Sequence, residues 1–207
     1  MNKKVVLNET TDPKIKLLMD LFQPKIRTFN KQEIILNSSS DKNILGIILS
    51  GMAYLTTINL NYQKRILDYY EVYDMFCNST LTNWGNNSYY IYAKTKCSVA
   101  FIDYREFVVE NNEGILKLKS TMNDNTMRRT LQHIDILSQL TLRNKLISYF
   151  DYCRKQTQST SFTLPISLSD LADYLAVDRS AMMRELGKMR DEKIIMSAGR
   201  KITMIEE

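Results

Sequence analysis

Histidine is the scarcest chemically versatile residue in this chain of 207 residues, which contains only His133. Metal sites built from histidine need several such side chains at one place, and serine–histidine–aspartate catalysis needs one beside a nucleophile. A lone histidine on a helix is more often a surface or interface residue than a ligand. We therefore expect no metal site, no other cofactor and no catalytic residue.

Cysteines and long apolar runs are also scarce. The three cysteines, Cys77, Cys97 and Cys153, are widely spaced and form no CxxC pair. This pattern argues against a disulfide framework or a cysteine-ligated cluster and is typical of reduced thiols in the cytoplasm. The first apolar run covers only residues 5–7, and no stretch approaches the length of a membrane span. We expect neither a signal peptide nor membrane association.

The rest of the composition is that of an ordinary folded protein, with 44% hydrophobic and 25% charged residues. This length suits one large domain or two small ones with a sizeable core. Lysine and arginine exceed aspartate and glutamate by 28 − 23 = 5. Such a mild excess is compatible with a polyanionic partner without demonstrating one.

Residues from about 30 to 104 are rich in isoleucine, valine, tyrosine and threonine, in short runs separated by Asn, Ser, Asp and Gly. Short β-favouring runs at nearly regular spacing predict an antiparallel sandwich or barrel. The runs are 33–36, 44–49, 52–58, 65–70, 89–93 and 99–103. The best candidates for hairpin turns are 50–51 and 59–61. Residues 13–21 are expected to form a short amphipathic helix before the first strand.

From Arg105 to about Phe150 the pattern becomes helical, with no proline and a single glycine, Gly114. Two apolar stripes recur there at spacings of three and four residues, the period of an α-helix. The first stripe consists of Met127, Leu131, Ile134 and Leu137, and the second of Ile115, Leu118 and Met122. A long helix that is apolar on more than one face usually packs against its own domain and another chain. We therefore favour dimerisation over a plain core helix.

The most specific local pattern lies at residues 166–189. Ser167, three residues before Asp170, matches a capping box that begins a helix, and Asp178 matches a second N-cap. Between them Ala176 and Val177 form a short turn. The expected inner faces are Leu171, Ala172 and Leu175 on the first helix and Met182, Leu186 and Met189 on the second. Two short helices joined in this way are the template of a helix-turn-helix.

A predicted hairpin over residues 194–204 follows, with Arg200 and Lys201 at its tip. A basic hairpin after a recognition helix is typical of a winged helix, in which the wing contacts the phosphate backbone. The segment 179–201 holds seven basic and three acidic residues, or 7 − 3 = +4, so most of the charge excess falls here. We therefore favour nucleic-acid binding over an ordinary solvated surface.

In the order of these features the chain resembles the cyclic-AMP-receptor/fumarate-nitrate-regulator (Crp/Fnr) family of bacterial transcription regulators, from about residue 15 to 205. The similarity is most specific at 168–186 and 193–205, with further matches at 47–51 and 93–102. It implies an α+β fold with an N-terminal antiparallel β-roll sensor over 1–104, a long dimerisation helix over 105–140 and a C-terminal winged helix-turn-helix over 141–207. The implied partners are operator double-stranded DNA, a second copy of the chain and RNA polymerase, with either an unidentified small-molecule effector or none.

By this resemblance Arg179 and Arg184 match the two arginines of the family's recognition helix. Ser180 stands where many members carry a glutamate that accepts from cytosine N4. Serine cannot fill that role in the same way, so we do not expect the family's usual operator bases. The residues expected to contact DNA are Ser169, Arg179, Ser180, Met183, Arg184, Lys188, Arg200 and Lys201.

The effector site departs further from the family. Members that bind cyclic nucleotides carry a Gly-Glu pair on one loop and an Arg-Ser pair before the next strand. Here Cys77 and Asn78 replace the first pair, and Asn87 and Ser88 replace the second. Without the arginine, no fixed positive charge pairs with the cyclic phosphate, so we do not expect cyclic AMP to bind. The absence of cysteine before Cys77 and of histidine in the roll also argues against the family's iron–sulfur and haem sensors.

The candidate effector pocket is aromatic and polar. Its members are Tyr73, Cys77, Asn78, Asn87, Ser88 and Tyr90. Together with Trp84 and the neighbouring tyrosines, this pocket would suit an apolar or aromatic small molecule, although an ordinary sheet core with tyrosine hydroxyls at its rim fits equally well. Cys77 leaves a redox input open, and the replaced residues also fit a member that binds DNA without an effector.

Two other classes of function compete with sequence-specific DNA binding. A β-roll is related in shape to enzymes of the cupin type, but their chemistry needs clustered histidine and glutamate ligands, and no histidine precedes His133. The other alternative is a small-molecule-binding or partner-docking module of the same fold with a non-functional DNA-binding domain. Salt-dependent DNA binding distinguishes such a module from a regulator.

Overall fold

The computed structural model describes residues 12–37, 43–58, 64–77 and 89–205 of the chain. The chain divides into two compact units, Met1–Asp124 and Asn125–Glu207. The division falls inside one helix, α3 (Glu113–Ser138). Among the helices that the structure describes, none is both long and apolar enough to cross a membrane.

The described part of the first unit contains two four-stranded antiparallel sheets, ordered β1-β8-β3-β6 and β2-β7-β4-β5. The strands are β1 (Lys25–Phe29), β2 (Ile34–Asn37), β3 (Ile44–Ser50), β4 (Ala53–Ile58), β5 (Lys64–Tyr70), β6 (Met75–Cys77), β7 (Tyr89–Ala93) and β8 (Cys97–Asp103). The predicted antiparallel β architecture, a sandwich or barrel, is confirmed in the form of these two sheets. β1 and β6 are additions, because β1 mixes charged with apolar residues and β6 is three residues long.

Apolar side chains cover both faces of the first sheet. Between the two sheets lie Phe29, Ile48, Ile91 and Val99, with others, and they form the interior of the roll. On the opposite face, residues of β3 and β8 pack against α1 (Pro13–Phe22), α2 (Tyr104–Val109) and the start of α3. Each fully buried side chain of this size contributes about 1.5–3 kcal/mol. The predicted stripe of Ile115, Leu118 and Met122 belongs to this helix-covered face.

The turn between β3 and β4 occurs at the predicted position and depends on glycine. Gly51 has φ of 84°, in the left-handed region, and a Cβ at this position would lie 2.2 Å from the backbone oxygen of Lys96. Backbone therefore packs directly against backbone at this point. The other predicted turn, 59–61, lies outside the described residues.

The segment 105–140, expected to be one long helix, contains two helices, α2 and α3, separated at Glu110. Glu110 is extended (φ −65°, ψ 125°), and Lys119 Nζ donates to its backbone oxygen at 2.6 Å. Asn112 Oδ1 then accepts from the Gly114 N–H at 2.9 Å at the start of α3. The predicted long helix is confirmed over Glu113–Ser138, but it begins later than predicted because the local capping preference of asparagine outweighs the helical period.

The second unit combines the last part of α3 with three further helices and a three-stranded sheet of order β10-β11-β9. Its elements are α4 (Leu142–Thr157), β9 (Ser161–Thr163), α5 (Leu168–Tyr174), α6 (Arg179–Asp191), β10 (Ile195–Ala198) and β11 (Lys201–Met204). β9 is an edge strand of this sheet, and it ends before Pro165. Phe150, Leu171, Leu186 and Ile202 are buried.

His133 is buried in the second unit, whereas the sequence predicted a surface or interface residue. The prediction is wrong because α3 has two distinct faces in this unit. His133 and Ile136, three residues apart, face the unit's own core, while Met127, Leu131 and Ile134 are exposed on another face. The exposed stripe and the buried histidine therefore have separate environments.

Candidate nucleic-acid interface

Side-chain caps fix where α5 and α6 begin. Ser167 Oγ accepts from the Asp170 N–H at 3.2 Å and donates to Asp170 Oδ2 at 2.6 Å. Asp178 Oδ1 accepts from the Ala181 N–H at 2.8 Å at the start of α6. The chain bends between the helices at Ala176, whose φ of 54° is in the left-handed region. The predicted caps and turn are confirmed, and they set the two helices of the helix-turn-helix.

α6 has one buried and one exposed face, as its sequence predicts. Met182, Leu186 and Met189 are buried. The predicted contact residues on this helix are all exposed: Arg179, Ser180, Met183, Arg184 and Lys188. Ser169 is exposed in the first turn of α5. The second unit thus presents two arginines, a lysine, a hydroxyl and a thioether on one helix surface, which suits both the acceptors of base edges and the charge of phosphates.

Arg143, near the start of α4, binds two carboxylates of α6 and its C-cap. Its Nε donates to Glu185 Oε1 at 2.6 Å, while Nη1 and Nη2 donate to the two carboxylate oxygens of Glu192. These bonds hold the pKa of the Glu192 carboxyl below its usual value and raise the pKa of Arg143. Two of the three acidic residues in the segment 179–201 therefore share one cation from outside it, which offsets one of their two negative charges. The positive field around α6 is stronger than the sequence count suggests.

The wing is a tight hairpin connected to α6. Ala198 pairs with Lys201, which leaves Gly199 and Arg200 as a two-residue loop. Gly199 has φ of 59°, as expected for glycine at the first loop position of a hairpin turn. Arg190 Nη1 donates to Ser197 Oγ at 3.2 Å, and Arg200 Nη1 donates to the Pro165 backbone oxygen at 3.3 Å. Arg200 and Lys201 are both exposed, so the wing carries positive charge at its tip.

Comparisons with known proteins agree with this geometry. Residues 137–207 match the Crp-like helix-turn-helix domain family. The chain is 21% identical over 182 residues to the probable transcriptional regulator flp of Lacticaseibacillus casei, covering 86% of this chain and 82% of flp. A solved structure of a CooA mutant from Carboxydothermus hydrogenoformans superimposes with a TM-score of 0.79 at 16% identity, covering 97% of this chain and 94% of CooA.

FixK2 from Bradyrhizobium japonicum shares the fold as well, with a TM-score of 0.68 at 15% identity over 88% of this chain and 93% of FixK2. Residues 137–207 therefore belong to the Crp-like helix-turn-helix domain family, and the chain as a whole shares the fold of CooA and FixK2. It is a Crp/Fnr-type transcription regulator whose helix-turn-helix DNA-binding domain lies in the second unit.

The candidate effector residues of this Crp/Fnr regulator do not form one group among the described residues. Tyr73 and Cys77 pack against the helix-covered face of the first sheet. Tyr90 lies on β7 of the second sheet, where its backbone oxygen accepts from Thr56 Oγ1 at 3.3 Å. Asn78, Asn87 and Ser88, like Trp84, lie outside the described residues. Among the described tyrosines, Tyr70 and Tyr89 pack against the roll interior.

Tyr73 adopts a backbone conformation that favours glycine, with φ of 73°. Its N–H donates to the Ile48 backbone oxygen at 2.7 Å, and the Asp74 N–H donates to that of Glu71 at 3.0 Å. The bond from Asp74 to Glu71 closes a turn over residues 71–74 that holds tyrosine in the left-handed conformation.

The first unit of the Crp/Fnr chain also has a surface cleft of about 630 Å³ where β1 and β3 begin and β8 ends. Phe22, Lys25, Phe101 and Arg105 are among its lining residues. Of the candidate effector residues that the structure describes, none lines this cleft. Across the described ranges, no three histidine, cysteine, aspartate or glutamate side chains are grouped to hold a metal ion.

Sequence reasoning missed Arg143. Its partners are 42 and 49 residues further along the chain, and no local spacing rule connects them. The only available signal was that an arginine near the start of α4 lacks an acidic residue three or four positions away.

Proposed function

We propose that this protein is a homodimeric, sequence-specific DNA-binding transcription regulator that inserts α6 into the major groove. The exposed side of α6 supports this most directly, because Arg179, Arg184 and Lys188 are all exposed. The apolar residues Met182, Leu186 and Met189 are buried. Arginine can donate two hydrogen bonds to guanine O6 and N7. Met183, 40% exposed between Ser180 and Arg184, offers an apolar contact of the kind that a thymine methyl group accepts.

Residues on and around this exposed side of α6 would contact phosphates and set the register of the helix. Arg200 and Lys201 on the wing and Lys188 on α6 supply cations, and Ser169 supplies a hydroxyl at the start of α5. Such contacts position a protein on the duplex without reading its sequence. We propose that they supply most of the salt-dependent affinity, and that Arg179 and Arg184 supply most of the specificity.

The second copy would bind along α3. Met127, Leu131 and Ile134 are 61%, 57% and 57% exposed, although their spacing of four and three residues places them on one face. Contiguous apolar surface of this kind is unusual on a monomer, and this spacing is that of a helix that packs against a second helix. A symmetric dimer formed through α3 would carry two α6 helices, one from each copy. Two such helices would fit two DNA half-sites that lie one helical turn apart.

We also propose that the sensor does not bind cyclic AMP. The support is chemical: the position of the family's phosphate-binding arginine holds Asn87, and asparagine carries no charge to pair with a cyclic phosphate. Calorimetric titration of the full-length protein with cyclic AMP should give no binding heat. A saturable signal would contradict this part of the proposal while leaving DNA binding intact.

The test of DNA binding begins by selecting a duplex from a random pool with the purified full-length protein. Arg179→Ala and Arg184→Ala should each weaken binding to that duplex by about tenfold or more, because a good bidentate base contact contributes about 1–3 kcal/mol. Arg105→Ala is the matched control, since Arg105 is an exposed arginine of the first unit paired with Asp103. It should bind as tightly as the wild type.

The alternative, a docking module with a non-functional DNA-binding domain, predicts a different outcome. It would select no duplex sequence and show no loss of DNA affinity as salt rises from about 50 to 200 mM. If the wild type selects a duplex but both α6 arginine variants bind it with unchanged affinity, the proposed role of α6 is contradicted, while DNA binding itself is not. The family resemblance also implies RNA polymerase as a partner. Its binding would be tested by adding it to the complex of the protein with the selected duplex.

A further inference from the structure

Gly187 lies inside α6 at a place where the fold does not require glycine. A Cβ at this position would meet only Arg190 Nη2, at 3.8 Å, an ordinary van der Waals contact. Gly114 in α3 differs, since its Cβ would lie 2.6 Å from Leu17 Cδ2. Glycine inside a helix costs about 1 kcal/mol relative to alanine. Gly187 therefore lowers the stability of the helix, although no described residue packs so closely that it would exclude a Cβ.

Gly187 lies on the outer side of α6, away from the core of the second unit. Ser180, Arg184 and Gly187 are spaced by four and three residues, so they form one row along α6. That row is opposite the buried residues Met182 and Leu186. The absence of a side chain thus opens space on the helix face that carries the proposed base-reading residues.

We propose that Gly187 is the point where the main chain of α6 packs against the sugar–phosphate backbone of bound DNA. The inference rests on the proposed function, and it adds a positioning residue that bears no charge and donates no side-chain hydrogen bond. Arg179 and Ser180 lie in the first turn, where recognition helices enter the groove. Two turns later the helix passes a groove wall, and there a missing Cβ lets the backbone come closer.

The charges next to Gly187 agree with this placement. Lys188 follows directly and is exposed, so a cation is available for the same phosphate strand. Asp191 stands four residues after Gly187 on the same row and is also exposed. A carboxylate repels phosphate, so the DNA contact ends between these two positions. The contact surface on α6 thereby extends from Arg179 to Lys188.

The test compares Gly187→Ala with Asp191→Ala in the full-length protein, using the duplex selected by the wild type. Both variants place alanine on the same row, one turn apart. Gly187→Ala should raise the melting temperature by a few degrees, because alanine is the better helix former. It should also weaken binding at least tenfold, with an unchanged slope of log affinity against log salt because no charge is removed. Asp191→Ala should bind at least as tightly as the wild type.

Three results would overturn the inference. Gly187→Ala could bind as tightly as the wild type, which removes the need for close approach. It could instead lower the melting temperature, in which case the glycine serves the fold. Asp191→Ala could lose as much affinity as Gly187→Ala, which would mean that alanine anywhere on this row disturbs binding. If the wild type selects no duplex, the proposed function fails before this comparison is made.

Discussion

The imidazole of His133 lies flat against the ring of Tyr174, with ring centroids 3.8 Å apart and an angle of 5° between the planes. His133 Nε2 is 2.9 Å from the backbone oxygen of Tyr174, the last residue of α5. A carbonyl oxygen only accepts, so Nε2 carries the hydrogen and donates it to the last carbonyl of α5. The pair connects α3 directly to the first helix of the helix-turn-helix.

Replacing His133 should destabilise the second unit in two separable steps. His133→Phe keeps a stacked ring but loses the hydrogen bond, so we expect a loss of about 1 kcal/mol. His133→Ala also leaves a cavity beside Tyr174, and we expect about 2–4 kcal/mol. Urea denaturation of both variants, followed by circular dichroism, measures the two losses. Equal midpoints for wild type and His133→Ala would contradict the structural role of this stack.

Arg143 is expected to support DNA binding without contacting DNA. Arg143→Ala leaves Glu185 and Glu192 unneutralised beside the basic face of α6, so both the melting temperature and the DNA affinity should fall. Arg143→Lys keeps the charge but cannot form the forked bond to Glu192, so it should retain most of the affinity and lose part of the stability. Anisotropy titrations and thermal unfolding of the two variants check this order. Equal affinities for Arg143→Ala and the wild type would contradict it.

The ion pair of Arg143 with Glu192 should also make stability depend on pH in the acidic range. The hydrogen bond from Arg143 lowers the pKa of Glu192 from its ordinary value of 4.5. A carboxyl group with a lowered folded-state pKa contributes stability above its unfolded value, and that stability is lost as pH falls through the folded value. From about pH 7 to pH 3, wild type should therefore lose more stability than Arg143→Ala.

Comparing the two proteins isolates the carboxylates paired with Arg143, because other carboxyl groups with lowered pKa values, such as Asp103 and Asp151, are present in both. Urea midpoints measured at steps of pH provide the comparison. Parallel curves for wild type and Arg143→Ala over the whole acidic range would be inconsistent with a pH-sensitive bond to Glu192.

Two glycines with left-handed backbones should respond differently to alanine. Gly51→Ala places a methyl group 2.2 Å from the Lys96 backbone oxygen, so the turn between β3 and β4 must shift, and we expect a loss of more than about 3 kcal/mol. Gly199→Ala meets nothing within 4 Å and bears only the conformational cost of about 1–2 kcal/mol. Thermal unfolding measures both. Similar losses in the two variants would mean that backbone conformation alone, rather than crowding, determines the requirement at Gly51.

Features that depend on neighbouring residues could be predicted from the sequence. The N-caps at Ser167 and Asp178 and the buried face of α6 follow from spacings of three and four residues, and the structure confirms them. β7 was predicted with its observed bounds, since a run of tyrosine and isoleucine favours a strand. Asn112 is a capping residue at the start of α3, but the helical spacing of apolar residues on both sides of it predicted a continuous helix.

Features that depend on distant pairings could not be predicted in the same way. Arg143 meets Glu185 and Glu192 only because α4 and α6 pack together, and His133 is buried only because α5 reaches α3. Neither contact leaves a periodic pattern in the sequence. β1 is a strand because it pairs with β8 from Lys25↔Phe101 to Phe29↔Cys97, rather than because of its own composition.

The proposed homodimer should depend on the exposed face of α3. Leu131→Glu and Ile134→Glu place carboxylates within an apolar stripe, so each should shift the protein to monomers, because a desolvated charge opposes packing against a second copy. Val109→Glu is the matched control, since Val109 is 72% exposed in the first unit and lies outside the stripe. Sedimentation velocity over a range of concentrations measures the dissociation. Dimers of unchanged affinity in both α3 variants would place the interface elsewhere, and monomers in all three variants would show that any added charge is enough.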